Sequence, residues 1–128
     1  MPELSTEEKK AFIKQWSEET ASDLIKRDAP YYVPKAWRVK RDVREGKRGI
    51  VAGIRWAENG RSIGAVEAVV KWSGMNATDD RGRDLFELAV AEVGDDEEFA
   101  AFLDQIGTPY ERGWHAGVRA VFDKWMEK

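Results

Sequence analysis

Phe12, Ile13, Trp16, Ala21, Leu24 and Ile25 recur at helical intervals behind Ser5-Thr6-Glu7-Glu8. That spacing lines one face of an α-helix. Ser5 and Glu8 have the form of a capping box, each side chain accepting from the other's backbone amide. A helix is expected over about residues 6–27, stopped by Asp28-Ala29-Pro30 and followed by the connector Tyr31-Tyr32-Val33-Pro34.

From Trp37 the period changes. Trp37, Val39, Arg41 and Val43 alternate with Arg38, Lys40, Asp42 and Arg44, the two-residue repeat of a half-buried strand. Pro34 at a first helical position keeps a helix open as the alternative. Gly46-Lys47-Arg48-Gly49 reads as a turn, and residues 50–57 and 62–72 read as two further strands. Asn59-Gly60 between them suits a type I′ hairpin, which sets Trp56 opposite Ile63 and Ile54 opposite Ala65.

Beyond Ser73-Gly74 the pattern is helical again. Asp80 is placed to cap a helix carrying Leu85, Phe86, Leu88, Ala89 and Val93, ended by Gly94. Asp95 to Glu98 open a short helix with Phe99, Phe102, Leu103 and Ile106, stopped by Gly107, and their carboxylates suit a helix N-terminus. Thr108-Pro109-Tyr110-Glu111 combines a capping box with proline at the first helical position. Trp114, Val118, Val121, Phe122 and Trp125 then form the apolar stripe of a last helix. The expected fold is therefore α+β: an N-terminal helix, a three-stranded antiparallel meander, then three helices packed on the sheet. No repeat or linker divides it, so residues 1–128 are expected to form one domain. The α-β-β-β-α order over roughly 6–93 is similar to that of double-stranded RNA-binding domains in topology alone. Asp79-Asp80-Arg81-Gly82-Arg83-Asp84 stands where those domains carry a lysine-rich helix start, so the likeness implies no RNA binding here.

Composition narrows the chemistry. The 128 residues include no cysteine, which removes disulfides, thiolate zinc sites, iron–sulfur clusters and cysteine nucleophiles. The N-terminus has no signal-peptide pattern, and the most apolar stretch, 50–70, is broken by Arg55, Glu58, Asn59, Arg61 and Glu67. The expectation is a cytoplasmic protein without a membrane span or a cofactor. The net charge of −3 is unevenly spread. Residues 35–61 hold nine basic groups against three acidic ones, whereas residues 62–128 hold fourteen acidic against seven basic. Oriented charge of this kind steers encounters between molecules.

Candidate chemistry is sparse. His115 is the single histidine, with no partner in a metal-binding spacing. Asp79, Asp80, Asp84 and Glu87 lack the alternating oxygens of a calcium loop and read as helix capping and solvation. No phosphate-binding or nucleophile-elbow glycine motif is present. Gly113 and Gly117, with Trp114 between them, place a small-residue pair within a helix and mark a close contact, within the chain or between chains. The basic segment is the strongest lead. As a strand it projects Arg38, Lys40 and Arg44 from one face, Lys47 and Arg48 extend the patch at the turn, and Arg41 belongs to the same basic segment, with Trp37, Tyr31 and Tyr32 placed to stack.

The function expected from these features is that of a small non-enzymatic interaction protein: a regulator, inhibitor or accessory subunit acting through the basic strand and turn face. Its partner would be a protein with an acidic surface, and a homodimer through Gly113, Trp114 and Gly117 is a second arrangement. The alternative is a nucleic-acid-binding module using residues 35–48. Third comes a small hydrolase or isomerase built from carboxylates and His115. No catalytic residue and no metal site is assigned.

Overall fold

The computed structural model describes residues 2–28, 35–73 and 79–127. Six helices account for nearly all of them: α1 Thr6–Asp28, α2 Ala36–Glu58, α3 Ile63–Trp72, α4 Asp80–Val93, α5 Glu97–Leu103 and α6 Pro109–Met126. There is no strand among the described residues, so the α+β expectation is overturned. The connector 31–34, with its two tyrosines, and Gly74 lie outside the described residues.

The error lies in α2 and α3. Gly46, Gly49, Ile50, Gly53, Ile54 and Ala57 are buried in α2, and their spacing is 3, 1, 3, 1 and 3 residues, the period of a helix face. Three of these positions are glycine, which reads locally as a turn or a weak strand. Alternation at 37–44 is incidental: Trp37, Arg38, Lys40, Arg41 and Arg44 are all exposed. Asn59-Gly60 is no hairpin turn. Asn59 closes α2, and Gly60 adopts a positive φ of 79° just past its end. Ser62 then caps α3 by accepting from the Ala65 amide at 3.1 Å. The double-stranded RNA-binding element order disappears with the strands.

The other boundaries follow their local signals. Ser5 and Glu8 form the capping box at 3.1 and 3.0 Å. Asp79, rather than Asp80, caps α4 at 2.8 Å, and Asp96 caps α5 at 3.1 Å. Gly94 has a positive φ directly after α4, and Gly107 has one four residues past α5, which ends at Leu103, so Ile106, expected within that helix, lies exposed beyond it. Thr108 departs from expectation: its hydroxyl donates to the Gln105 carbonyl at 2.7 Å, leaving the first turn of α6 without a side-chain cap.

Among the described helices the most extensive contact joins α2 to α6, and glycine makes it. A Cβ on Gly49 would overlap the Tyr110 carbonyl, and one on Gly53 the Trp114 carbonyl. Likewise a Cβ on Gly113 would overlap the Gly46 carbonyl, and one on Gly117 the Ile50 carbonyl. Both rows of contacts ascend together along the two helices, so α2 and α6 run parallel. Exchanging 46 with 110, 49 with 113, 50 with 114 and 53 with 117 maps this contact set onto itself. The pair thus has a local two-fold relation. The sequence carries it too: Gly49-Ile50-Val51-Ala52-Gly53-Ile54-Arg55 and Gly113-Trp114-His115-Ala116-Gly117-Val118-Arg119 share G-x-x-A-G-(I/V)-R in register. A short internal repeat is therefore present where none was expected.

Such a pair leaves two lateral grooves. In one lies α1, antiparallel to both helices. Leu4 N–H and Lys9 reach Glu58 near the end of α2 (2.9 and 3.0 Å), and Glu8 meets Lys124 near the end of α6 (2.9 Å). Further along, the Trp16 ring covers Gly46, and Asp23 meets Arg112 at 3.5 Å. The other groove receives α3 and α5, whose Trp72, Phe99 and Phe102 join Trp56 and Trp114 in a buried aromatic core. Trp56 and Trp114 lie 5.2 Å apart, and Phe102 stacks on Trp114 at 3.7 Å and 10°. Face-offset ring contacts of this kind add to the burial of apolar area.

Candidate functional site

The second groove is not filled along its whole length. α5 has only seven residues, and beyond it a cleft of about 540 Å³ opens between α2, α5 and the start of α6. Its α2 side is Glu45, Arg48, Ala52 and Arg55, and its opposite side includes Glu98, Gln105, Thr108 and Tyr110. The Phe102–Trp114 stack forms its apolar wall.

Helical geometry explains why these side chains converge. Arg48, Ala52 and Arg55 stand four and three residues apart, one stripe along two turns of α2, with the two arginine Cα atoms about 10 Å apart. Ala52 between them keeps the middle of the stripe low. Among the described residues, neither Arg48 nor Arg55 has a carboxylate within ion-pair distance, although Glu45 and Glu98 line the same cleft. The first turn of α6 borders the cleft through Thr108 and Tyr110, and its own Glu111 already places a carboxylate at that end of the helix dipole.

Two groups near the cleft show how its walls are held. Asp96 accepts from the Trp56 indole at 2.9 Å, from Arg61 at 2.9 and 3.0 Å, and from the Phe99 amide. Burial works to raise the Asp96 carboxyl, but the Arg61 fork, the Phe99 amide and the indole outweigh it and hold it below its ordinary value. This one residue fixes the start of α5 to the end of α2. His115 sits edge-on to Trp72 (4.7 Å), Phe102 (5.2 Å) and Trp114 (5.6 Å). Burial pushes it down to about 4, so it is a neutral packing residue at ordinary pH. Its Nδ1 is buried with no hydrogen-bond partner among the described residues.

The expected site residues are redistributed by the helix. A strand would gather Arg38, Lys40 and Arg44, but two residues in a helix turn by about 200°, so Arg38 and Lys40 leave on opposite sides. Trp37, Arg41, Arg44 and Arg48 come together instead. Trp37 is 54% exposed, with the Arg38 and Arg41 guanidiniums 5.6 and 5.4 Å from its ring centre. Lys40 and Lys47, seven residues apart, share another exposed stripe. Among the described residues no strand and turn face exists, so the interaction and nucleic-acid mechanisms built on one are corrected. Gly113, Trp114 and Gly117 are buried in the contact with α2.

Asp79 caps α4, Asp80 pairs with Arg83, and Asp84 and Glu87 are exposed. Among the described residues no three His, Asp or Glu side chains are grouped to hold a metal ion, and no helix is long and apolar enough to cross a membrane.

Sequence reasoning reached Arg48 but missed Glu45, Arg55, Glu98, Phe102, Gln105, Thr108 and Tyr110 as members of one site. The three-, four- and seven-residue spacing of Arg41, Arg44, Arg48 and Arg55 was the available signal, together with the repeated G-x-x-A-G-(I/V)-R. Comparison with protein-family models, curated proteins and solved structures finds no match.

Proposed function

We propose that the protein is a binding module for a small carboxylate that carries a hydrogen-bond donor and an apolar or planar body, held in the cleft between α2, α5 and α6. One observation carries this reading. Arg48 is the two-fold counterpart of Arg112, and in the α1 groove Arg112 meets the Asp23 carboxylate at 3.5 Å. The cleft repeats that groove with the arginine in place, and although Glu45 and Glu98 line it, neither lies within ion-pair distance of Arg48.

Other features support the same ligand. A volume of about 540 Å³ suits a small molecule. Arg55 offers further stabilisation to an anion. Glu45 and Glu98 accept from an amine or hydroxyl and disfavour a multiply charged anion. The Phe102–Trp114 wall buries the apolar body. The cysteine-free sequence fits the cytoplasm as its location.

Thermal melts in the presence of aromatic and aliphatic amino acids, phenylacetate and benzoate, each beside its amide, test the proposal. A carboxylate should raise the melting temperature where its amide does not. Arg48→Ala and Arg55→Ala should each abolish the rise, while Arg119→Ala keeps it. Carboxylates and amides that act alike would overturn the reading.

A further inference from the structure

We propose that the protein self-associates by laying α4 of one copy along the outer face of α2 of another. Trp37, Arg41, Arg44, Arg48 and Val51 follow one another at four- and three-residue spacing, a single stripe on the outside of α2. Its two apolar members are the most exposed large hydrophobic side chains described, each at 54%. Trp and Arg are the residue types most enriched at the energetic centres of interfaces. α4 carries the complement: Asp80, Asp84, Glu87 and Ala91 at the same spacing, with Leu88 beside them 46% exposed. The charged members of the two stripes, 41 to 48 and 80 to 87, each span about 10 Å.

The two stripes do not satisfy each other within one copy. α4 is held by α3 rather than by α2. Among the described residues, Arg61–Asp96 is the one ion pair that joins the basic stretch 35–61 to the acidic stretch 62–128. Arg44, Asp84 and Glu87 have no ion pair among the described residues, and Arg41–Asp42 and Arg83–Asp80 are exposed neighbour pairs along one helix, a kind of little energetic weight. A second copy brings an acidic stripe with an exposed leucine to a basic stripe with an exposed tryptophan and valine. Charge complementarity, spacing and length thus favour the chain itself as the occupant over an unrelated acidic partner. Every copy offers both stripes, so the contact either closes reciprocally into a pair or repeats head to tail.

The proposal shares Arg48 with the cleft but does not rest on ligand binding, and its variants lie outside the cleft lining. Sedimentation velocity of the full chain at about 100 µM should show species larger than the monomer at about 50 mM salt, diminishing at about 500 mM as screening shortens to a few ångströms. Arg41→Glu/Arg44→Glu should be monomeric, as should Asp84→Arg/Glu87→Arg, each with association weakened about a hundredfold by like charges face to face. Circular dichroism should match the parent, since all four residues are exposed. Mixing the two monomeric variants should restore assembly, because each supplies the stripe that the other needs. A parent that sediments as a monomer at low salt, or variants that stay monomeric when mixed, would overturn the proposal. Assembly that survives both reversals would do so equally.

Discussion

The carbonyl oxygen of Gly46 occupies the space that a side chain on Gly113 would need. Through this pair and its relatives, backbone meets backbone between α2 and α6, and the lateral grooves that hold α1 on one side and the cleft on the other are defined. Gly113→Ala should therefore destabilise the fold by about 1–3 kcal/mol or more, the usual range for overpacking, because the obstacle is main chain. Gly64→Ala is the control. It lies in α3, and its nearest neighbours would stand at 3.5 and 4.0 Å, so it should stabilise by about 0.5–1 kcal/mol. Urea melts of the two variants should give opposite signs for the same chemical change.

His115 predicts a pH dependence. Its folded value of about 4 lies below the ordinary 6.5 because burial disfavours the imidazolium. As pH falls from about 6.5 to about 4, the unfolded chain takes up a proton that the folded chain refuses. The His115 contribution should lower stability across that window, by up to about 3 kcal/mol, and add nothing further below it. His115→Phe, which keeps an aromatic ring among Trp72, Phe102 and Trp114, should flatten this slope in urea melts between pH 7 and 4. An unchanged slope would place the titration elsewhere.

Asp96 acts in a lower window. Its folded carboxyl is held below 3.8, so its contribution is present above 3.8 and is lost as pH falls through the folded value. Asp96→Asn keeps the shape but gives up the charge facing Arg61 and half of the acceptor capacity. It should destabilise at neutral pH and shrink the acid-induced loss below pH 3.8, as followed by tryptophan fluorescence during acid titration.

Four of the six helices were legible because their ends are written in side chains. Ser5 with Glu8, Asp96 before Phe99, Pro109 at the first position of α6, and Gly94 and Gly107 past helix ends all act locally and mean the same thing in any context. α2 and α3 were not legible, for a physical reason. The inner face of α2 is built from Gly46, Gly49 and Gly53, whose role is to have no side chain, and a hydrophobic pattern registers them as gaps. Only the presence of α6, many residues later in the chain, turns those gaps into a contact. The cleft shared that fate. Arg48 stood out by charge, but Glu98, Gln105 and Tyr110 join it through tertiary packing, which no local pattern encodes.

Phe102 tests the wall of the cleft. It is buried against Trp114 and also touches Trp72 and His115. Phe102→Ala should cost about 3–5 kcal/mol, and Phe102→Leu markedly less. The leucine variant should still fold, as judged by circular dichroism, yet bind aromatic carboxylates more weakly than aliphatic ones relative to the parent.

The most direct test of the cleft is nuclear magnetic resonance of the arginine side chains during titration with the carboxylate that gives the largest thermal shift. The Arg48 and Arg55 Nε–H signals should move together and saturate, with Arg112 and Arg119 unmoved, because the first pair faces the open groove while Arg112 already holds Asp23 and Arg119 lies beside Asp123. Loss of one charged hydrogen bond, about 1.5–3 kcal/mol, should weaken binding by about 10- to 150-fold in Arg48→Ala. Uniform small shifts at all four arginines, without saturation, would contradict the account.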